Sequence, residues 1–176
     1  MKKFELTSEF VTFLGKTLFR IKALVSFGDV AEGELGGFIE RENNLDQSGN
    51  AWVSGNAKVF GNAWVSGDAK VFGNAWVSGD AKVCGNAWVS GNAWVSGDAR
   101  VQNCRDYSAT SCFGSENRTT TFFRTKDGGI SVRCGCFYGT LREFREKVKE
   151  RHGDSRLAKE YLMLADLMEF RLSKDE

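Results

Sequence analysis

The chain has 176 residues, 24 of them basic and 23 acidic, with a single histidine, five cysteines and no proline. So even a balance, held along the chain, excludes the basic excess by which nucleic-acid binders release counterions, and also an acidic surface imitating DNA. No apolar run is long enough to cross a bilayer, and MKKFELTSEF has neither the apolar core nor the cleavage site of a secretion signal. The cysteines are therefore expected as free thiols in a reducing compartment, the cytoplasm.

Residues 1–46 form the first of three expected parts. Residues 4–30 read as strands: EFVTFLG and TLFRIKALVSF, turning at Gly15-Lys16, predict a β-hairpin that covers the first rung of the repeat beginning at residue 47. A stack of repeats needs such polar-ended caps.

The second part, residues 47–102, is a six-residue repeat. Valine falls at every sixth position from Val53 to Val101 and alanine at every sixth from Ala51 to Ala99, with Gly and then Asn or Asp before each alanine. A helix cannot use this pattern: six is not a multiple of 3.6, and each interior glycine would cost about 1 kcal/mol. Alternation fits instead, because Ala-x-Val places both apolar residues on one face of a short strand, and the Gly-Asn or Gly-Asp pair supplies a corner that tolerates positive φ. Short strand, corner, short strand at a period of six is the grammar of a parallel β-helix. With about 18 residues per three-sided coil, the hexads make about three coils spaced about 4.8 Å apart.

The outward positions keep a period of twelve. Trp52, Lys58, Trp64, Lys70, Trp76, Lys82, Trp88, Trp94 and Arg100 come after the alanines, and Ser, Phe, Cys or Gln after the valines. Twelve does not divide a coil of about 18. Trp52, Lys70 and Trp88 should therefore stack in one column, Lys58, Trp76 and Trp94 in a second, and Trp64, Lys82 and Arg100 in the third. The mixture sets cations beside rings and avoids columns of like charge. Asp68, Asp80 and Asp98, each two residues before a base, add local compensation. Trp52, Trp64, Trp76, Trp88 and Trp94 are read as a surface for a protein partner or for self-association.

Two activities met on such coils are excluded. The only histidine, His152, lies far beyond the repeat, where a hexapeptide acyltransferase would need one beside it. The threonine ladder of an ice-binding solenoid is missing, since no threonine occurs between Thr17 and Thr110.

V-S-G-D-A-K is similar to the hexapeptide motif of left-handed β-helices. Residues 18–102 resemble YdcK-type β-solenoid proteins of phages and bacteria, through the strand around Arg20 to Phe27, Gly33, Gly36-Gly37, Asn44-Leu45 and the first Gly-Asn-Ala-Trp. The left hand of the helix is what this resemblance implies, and similar coils often trimerise along their sides.

In the third part, residues 103–176, RTTTFFRTKDGGISVRCGCF predicts two strands, Thr119 to Thr125 and Ile130 to Phe137, turned by Asp127-Gly128-Gly129. Thr140 and Glu143 form a capping box opening the helix LREFREKVKERHG, with Leu141, Phe144 and Val148 inward. Gly153 ends that helix. A second, DSRLAKEYLMLADLMEFRLS, turns Leu157, Tyr161, Leu164 and Met168 inward. The expected cap is ββαα. GSENRTTTFFRTKDGGISV, CGCFYGTLREF and ERHG resemble a domain recurring at the C-termini of phage-associated proteins, which implies no activity.

Cys134 and Cys136 fall on one face of the expected strand, with Cys104 and Cys112 upstream and His152 downstream. The upstream spacing is not that of a zinc knuckle, so the cysteines are read as buried free thiols, with no metal, no cofactor and no catalytic residue. Ser115, Asn117 and Arg118 in GSENRT combine hydroxyl, amide and guanidinium in one loop and are the expected site of a small anionic ligand, where coil meets cap. The whole reads as a mainly β chain, a left-handed parallel β-helix between an N-terminal hairpin and an α+β cap. Its expected function is non-enzymatic binding of a protein partner, of itself as a homo-oligomer, or of a small anion. Phage resemblance implies an inhibitor of a host defence protein or nucleotide signal. The alternatives are an enzyme using the Cys- and His-containing cap, or a purely structural self-assembling solenoid.

Overall fold

The computed structural model describes residues 2–173. Each hexad contributes one two-residue strand, giving nine: β4 (Trp52–Val53), β5 (Lys58–Val59), β6 (Trp64–Val65), β7 (Lys70–Val71), β8 (Trp76–Val77), β9 (Lys82–Val83), β10 (Trp88–Val89), β11 (Trp94–Val95) and β12 (Arg100–Val101). They pair in parallel, β4-β7-β10 on one side, β5-β8-β11 on the second and β6-β9-β12 on the third. The expected columns are all present: Trp52, Lys70 and Trp88; Lys58, Trp76 and Trp94; Trp64, Lys82 and Arg100. Every valine and alanine of the repeat is buried. The corners need glycine. All the corner glycines have positive φ; Gly79 has φ 67°, and a Cβ there would lie 2.8 Å from the backbone nitrogen of Gly97 in the next coil, so at this corner the coils also stack too closely for a side chain.

The fold is mainly β, a parallel stacked-coil solenoid of between three and four turns. The partial extra turn comes from β3 (Leu35–Ile39), whose Phe38 and Ile39 pair in parallel with Lys58 and Val59, and from a bridge between Leu45 and Val65. The hairpin forms as predicted, β1 (Phe4–Phe13) against β2 (Lys16–Ala23), turning through Leu14 and Gly15 at positive φ. It extends one side of the solenoid edgewise, in the order β1-β2-β3-β5-β8-β11. Phe4, Ile21 and Ala23 close the interior, while Val11, Phe13 and Leu18 cover Phe38, Phe60 and Trp76 on the outside. Phe60, an outward position in the repeat, is buried for that reason.

The hydrogen bonds flanking each two-residue strand run one way, which shapes what each end requires. The N–H that opens a strand reaches forward to the next coil, as does the one after it: Trp52 N to Ala69 O (3.0 Å), Ser54 N to Val71 O (2.9 Å), Lys70 N to Ala87 O (2.9 Å). At these flanking positions the N-terminal end shows bare carbonyls and the C-terminal end bare N–H groups. The caps match. At the first end the donors come from side chains: Lys3 Nζ to Ala51 O (2.9 Å), Asn44 Nδ2 to Ala63 O (2.8 Å) and Arg20 Nη1 to Gly36 O (2.8 Å). At the other they are acceptors: Asp106 takes the N–H groups of Gln102 (2.8 Å) and Asn103 (3.1 Å), Thr121 Oγ1 that of Trp94 (3.1 Å), and the Tyr107 hydroxyl that of Ser90 (3.3 Å).

The C-terminal cap has more strands than expected. Four form an antiparallel sheet, β13 (Tyr107–Phe113), β14 (Arg118–Arg124), β15 (Ile130–Cys134) and β16 (Phe137–Thr140). The single strand predicted over Ile130 to Phe137 is broken by a turn at Gly135, φ 58°, so that Cys134 pairs with Phe137 across it and the expected common face for Cys134 and Cys136 does not exist. The helices α1 (Leu141–His152) and α2 (Arg156–Leu172) complete the cap. Thr140 and Glu143 form the expected capping box, and Leu141, Phe144 and Val148 are buried. Alternation along β14 joins the two cores: Phe122 packs under the helices, and Phe123, next in sequence, enters the end of the solenoid core.

Candidate ligand-binding site

The connection between β13 and β14 is a tight loop with Gly114 at φ 75° and Asn117 at φ 49°. Gly114 is required there because the Tyr161 hydroxyl occupies the place its Cβ would take. Below the loop the cap forms a half-open cavity of about 250 Å³. One stripe of α1 supplies much of its wall, since residues three and four apart share a helix face. Phe144 and Val148 form the apolar floor, and Lys147, Arg151 and His152 line it beside them. The remaining wall comes from Ser115, Glu116 and Arg118, from the Cys134–Phe137 turn and from Tyr161. The rings are mutually fixed: Phe144 meets Tyr161 edge-on at 5.8 Å, and His152 stacks on Tyr161 at 5.7 Å. Burial pushes the Tyr161 phenol above its ordinary pKa, so at neutral pH it is an uncharged hydroxyl.

Charge in this cavity is lopsided. Arg118, Lys147 and Arg151 line it against one carboxylate, Glu116. The Arg118–Glu116 pair is long, 3.8 Å, with both side chains more than half exposed, so it holds the guanidinium weakly. An apolar floor with cations above it suits a small ligand having a ring or aliphatic body and an anionic group.

Asn117, expected in the same site as Ser115 and Arg118, does not line this cavity. It lines a second, open groove of about 500 Å³ on the other side of Arg118, where the cap meets the solenoid. Trp76, Trp94, Asn74, Asn92 and Arg133 belong to this groove. Arg133 lies over the Trp94 ring at 3.5 Å and faces Tyr138 at 5.6 Å. Burial lowers its pKa, and its Nε is buried with no hydrogen-bond partner among the described residues. The residues of the expected site thus divide between two concavities that meet at Arg118.

The thiols are more accessible than expected. Cys104, Cys112 and Cys136 are exposed, and Cys84 and Cys134 half-buried; they sit on strand ends, turns and an outward repeat position, which no core covers. Cys134 accepts a hydrogen bond from Thr120 Oγ1 at 3.2 Å. His152 does line the same cavity as Cys134 and Cys136, which sequence spacing did not reveal. Among the described residues no group of three His, Cys, Asp or Glu side chains is placed to hold a metal ion.

The tryptophans divide. Trp52 is 4% exposed, beneath the edges of Phe4 and Phe27, and so presents no partner surface, contrary to expectation; the N-terminal cap needs an apolar lid over the first coil. Trp76 is covered by Phe13, ring centroids 4.4 Å apart, and Trp94 by Arg133. Trp64 and Trp88 are the exposed ones. The local compensation expected of the coil aspartates is also replaced: Asn50 and Asn62 donate to Asp68 (2.8 Å) and Asp80 (2.9 Å), while Lys70 pairs with Asp29 of the N-terminal cap.

Among known families, the model of the YdcK beta solenoid repeat matches residues 81–97. This similarity lies within the coil. No curated protein matches the chain.

Proposed function

We propose that the protein is a non-enzymatic binding protein whose C-terminal cap takes up a small anionic ligand, with the solenoid as its rigid support. The observation that carries this reading is the cap cavity, in which Arg118, Lys147 and Arg151 surround an apolar floor of Phe144 and Val148. A bidentate, charge-assisted contact from one guanidinium contributes about 1.5–3 kcal/mol. The phage resemblance of both parts of the sequence supports a role in withdrawing a host molecule of this kind from use.

Thermal shift against a panel of small carboxylates, phosphates and nucleotides tests it. At least one class should raise the melting temperature of the wild type, and Arg151→Ala should lose that response while melting at nearly the wild-type temperature without ligand. Equal responses from both proteins would remove the site; no response from either would remove the function.

A second reading, a protein partner, is supported by a different observation. Met163, Leu167 and Phe170 are exposed at 71%, 56% and 85% along one face of α2, an apolar stripe at helical spacing. For the enzymatic alternative, His152 lines the same cavity as Cys134 and Cys136, and a thiol nucleophile would be activated through such a base; among the described residues no hydrogen bond joins them.

A further inference from the structure

The cap cavity and the junction groove share two residues, Arg118 and Gly135. A Cβ on Gly135 would lie 3.1 Å from Arg118 Nη1, so the guanidinium lies across this glycine as the partition between the two spaces. The cavity, about 250 Å³, is small against the roughly 300–1,000 Å³ that enclose drug-sized ligands. A drug-sized molecule seated in it would extend beyond it. Past Arg118 lies the groove.

The two spaces differ in chemistry. The cavity is floored by rings and aliphatic groups, which suits a planar apolar body. The groove has no Asp or Glu in its lining and offers donors: the guanidiniums of Arg118 and Arg133 and the carboxamides of Asn92 and Asn117. The carboxamides along this corner form a directed row, Asn56 Nδ2 donating to Asn74 and Asn74 Nδ2 to Asn92 at 3.4 Å. Asn92 ends the row, and its own Nδ2 is the donor left for the groove. An acid-free space with two guanidiniums and a terminal amide recognises several acceptor oxygens at once.

We infer that the ligand is a nucleoside phosphate, its base held in the cap cavity and its phosphate in the groove, with Arg118 between them. This rests on the proposed reading of the cap cavity and names its ligand class. The phosphate accepts from Arg118 and from the donors of the groove, and the base lies among Phe137, Phe144 and Tyr161, with Lys147 and Arg151 of the cavity donating to the acceptor atoms of its edge.

The test uses adenosine, inorganic phosphate and adenosine 5′-monophosphate as probes, titrated calorimetrically against the full chain, Asn92→Asp and His152→Ala. Asn92→Asp preserves the acceptor for Asn74 and places a carboxylate in a groove that has none. It should weaken the monophosphate at least about tenfold and leave adenosine unchanged, a tenfold change being about 1.4 kcal/mol. His152→Ala should weaken both adenosine compounds by a similar factor, and inorganic phosphate should bind far more weakly than the monophosphate. If Asn92→Asp binds the monophosphate as the wild type does, the phosphate is not in the groove and the inference falls, while the cavity reading stands on its His152 response. Inorganic phosphate binding as well as the monophosphate would remove the base from the cavity. If neither adenosine compound binds the wild type, the inference fails; the wider panel of anions then decides whether the cavity reading fails with it.

Discussion

Lys3 shows how one residue meets a demand of the whole stack. Its ammonium is enclosed at the carbonyl end of the solenoid, donating to Ser48 O, Gly49 O and Ala51 O and lying over the Phe27 ring at 4.9 Å. Burial, opposed by the charge of Asp46, lowers its pKa to about 8 from 10.5. For a base with a depressed folded value, the unfolded chain binds more protons between those two pH values. Lys3 therefore contributes least below about pH 8 and more as pH rises from about 8 toward 10.5. The melting-temperature gap between wild type and Lys3→Met should widen across that window, because the neutral amine still donates but no longer bears the cost of a buried charge. A gap that narrows with rising pH would show that the ammonium is well solvated and that the carbonyls are satisfied some other way.

Among the elements, those with a strong period were legible and those defined by a neighbour were not. The hexads declared strand, corner and core, because every Val and Ala position repeats without exception. α1 was legible from Thr140, Glu143 and Gly153, whose side chains and backbone form the expected caps. β13 was not: YSATSCF holds apolar Tyr107 and Phe113 only at its ends and small or polar residues between, so its pairing to β14 is set by that partner strand. Nor did anything local announce that Asp106 would be buried as an acceptor for two coil-end N–H groups with Arg124 Nη1 3.4 Å away. That role appears only once the ladder's direction is known. Asp106→Ala should cost about 3 kcal/mol, by leaving buried donors and an arginine without their acceptor. In hydrogen exchange, the amides of Gln102 and Asn103 should lose protection while those of β7 and β8 keep theirs. Uniform loss across all coils would mean that the carboxylate supports the fold globally and is not an end cap.

In the whole molecule, the concavities lie where unlike elements meet. The loop carrying Ser115, Asn117 and Arg118 stands out in the sequence because its residue types are unusual together, yet the cavity beneath it is completed by Lys147, Arg151, His152 and Tyr161 from two helices. Lys147, Arg151 and His152 lie on the same side of α1 as its buried Phe144 and Val148, a signal present in the 3.6-residue period but not distinguishable in sequence from an ordinary solvated edge. Association was less legible still. The tryptophans expected to form one surface are partly enclosed, and the exposed stripe of Met163, Leu167 and Phe170 lies on α2, where the heptad-like spacing serves the buried face equally well. Native mass spectrometry of the intact protein, infused with a library of small carboxylates, phosphates and nucleotides, tests the central claim most directly and reports copy number in the same spectrum. The account predicts one anionic compound retained per chain, present in the wild type and absent from Arg151→Ala, with no stoichiometric zinc. A wild type that retains no member of the library, or that carries zinc lost in Cys134→Ser, would contradict it.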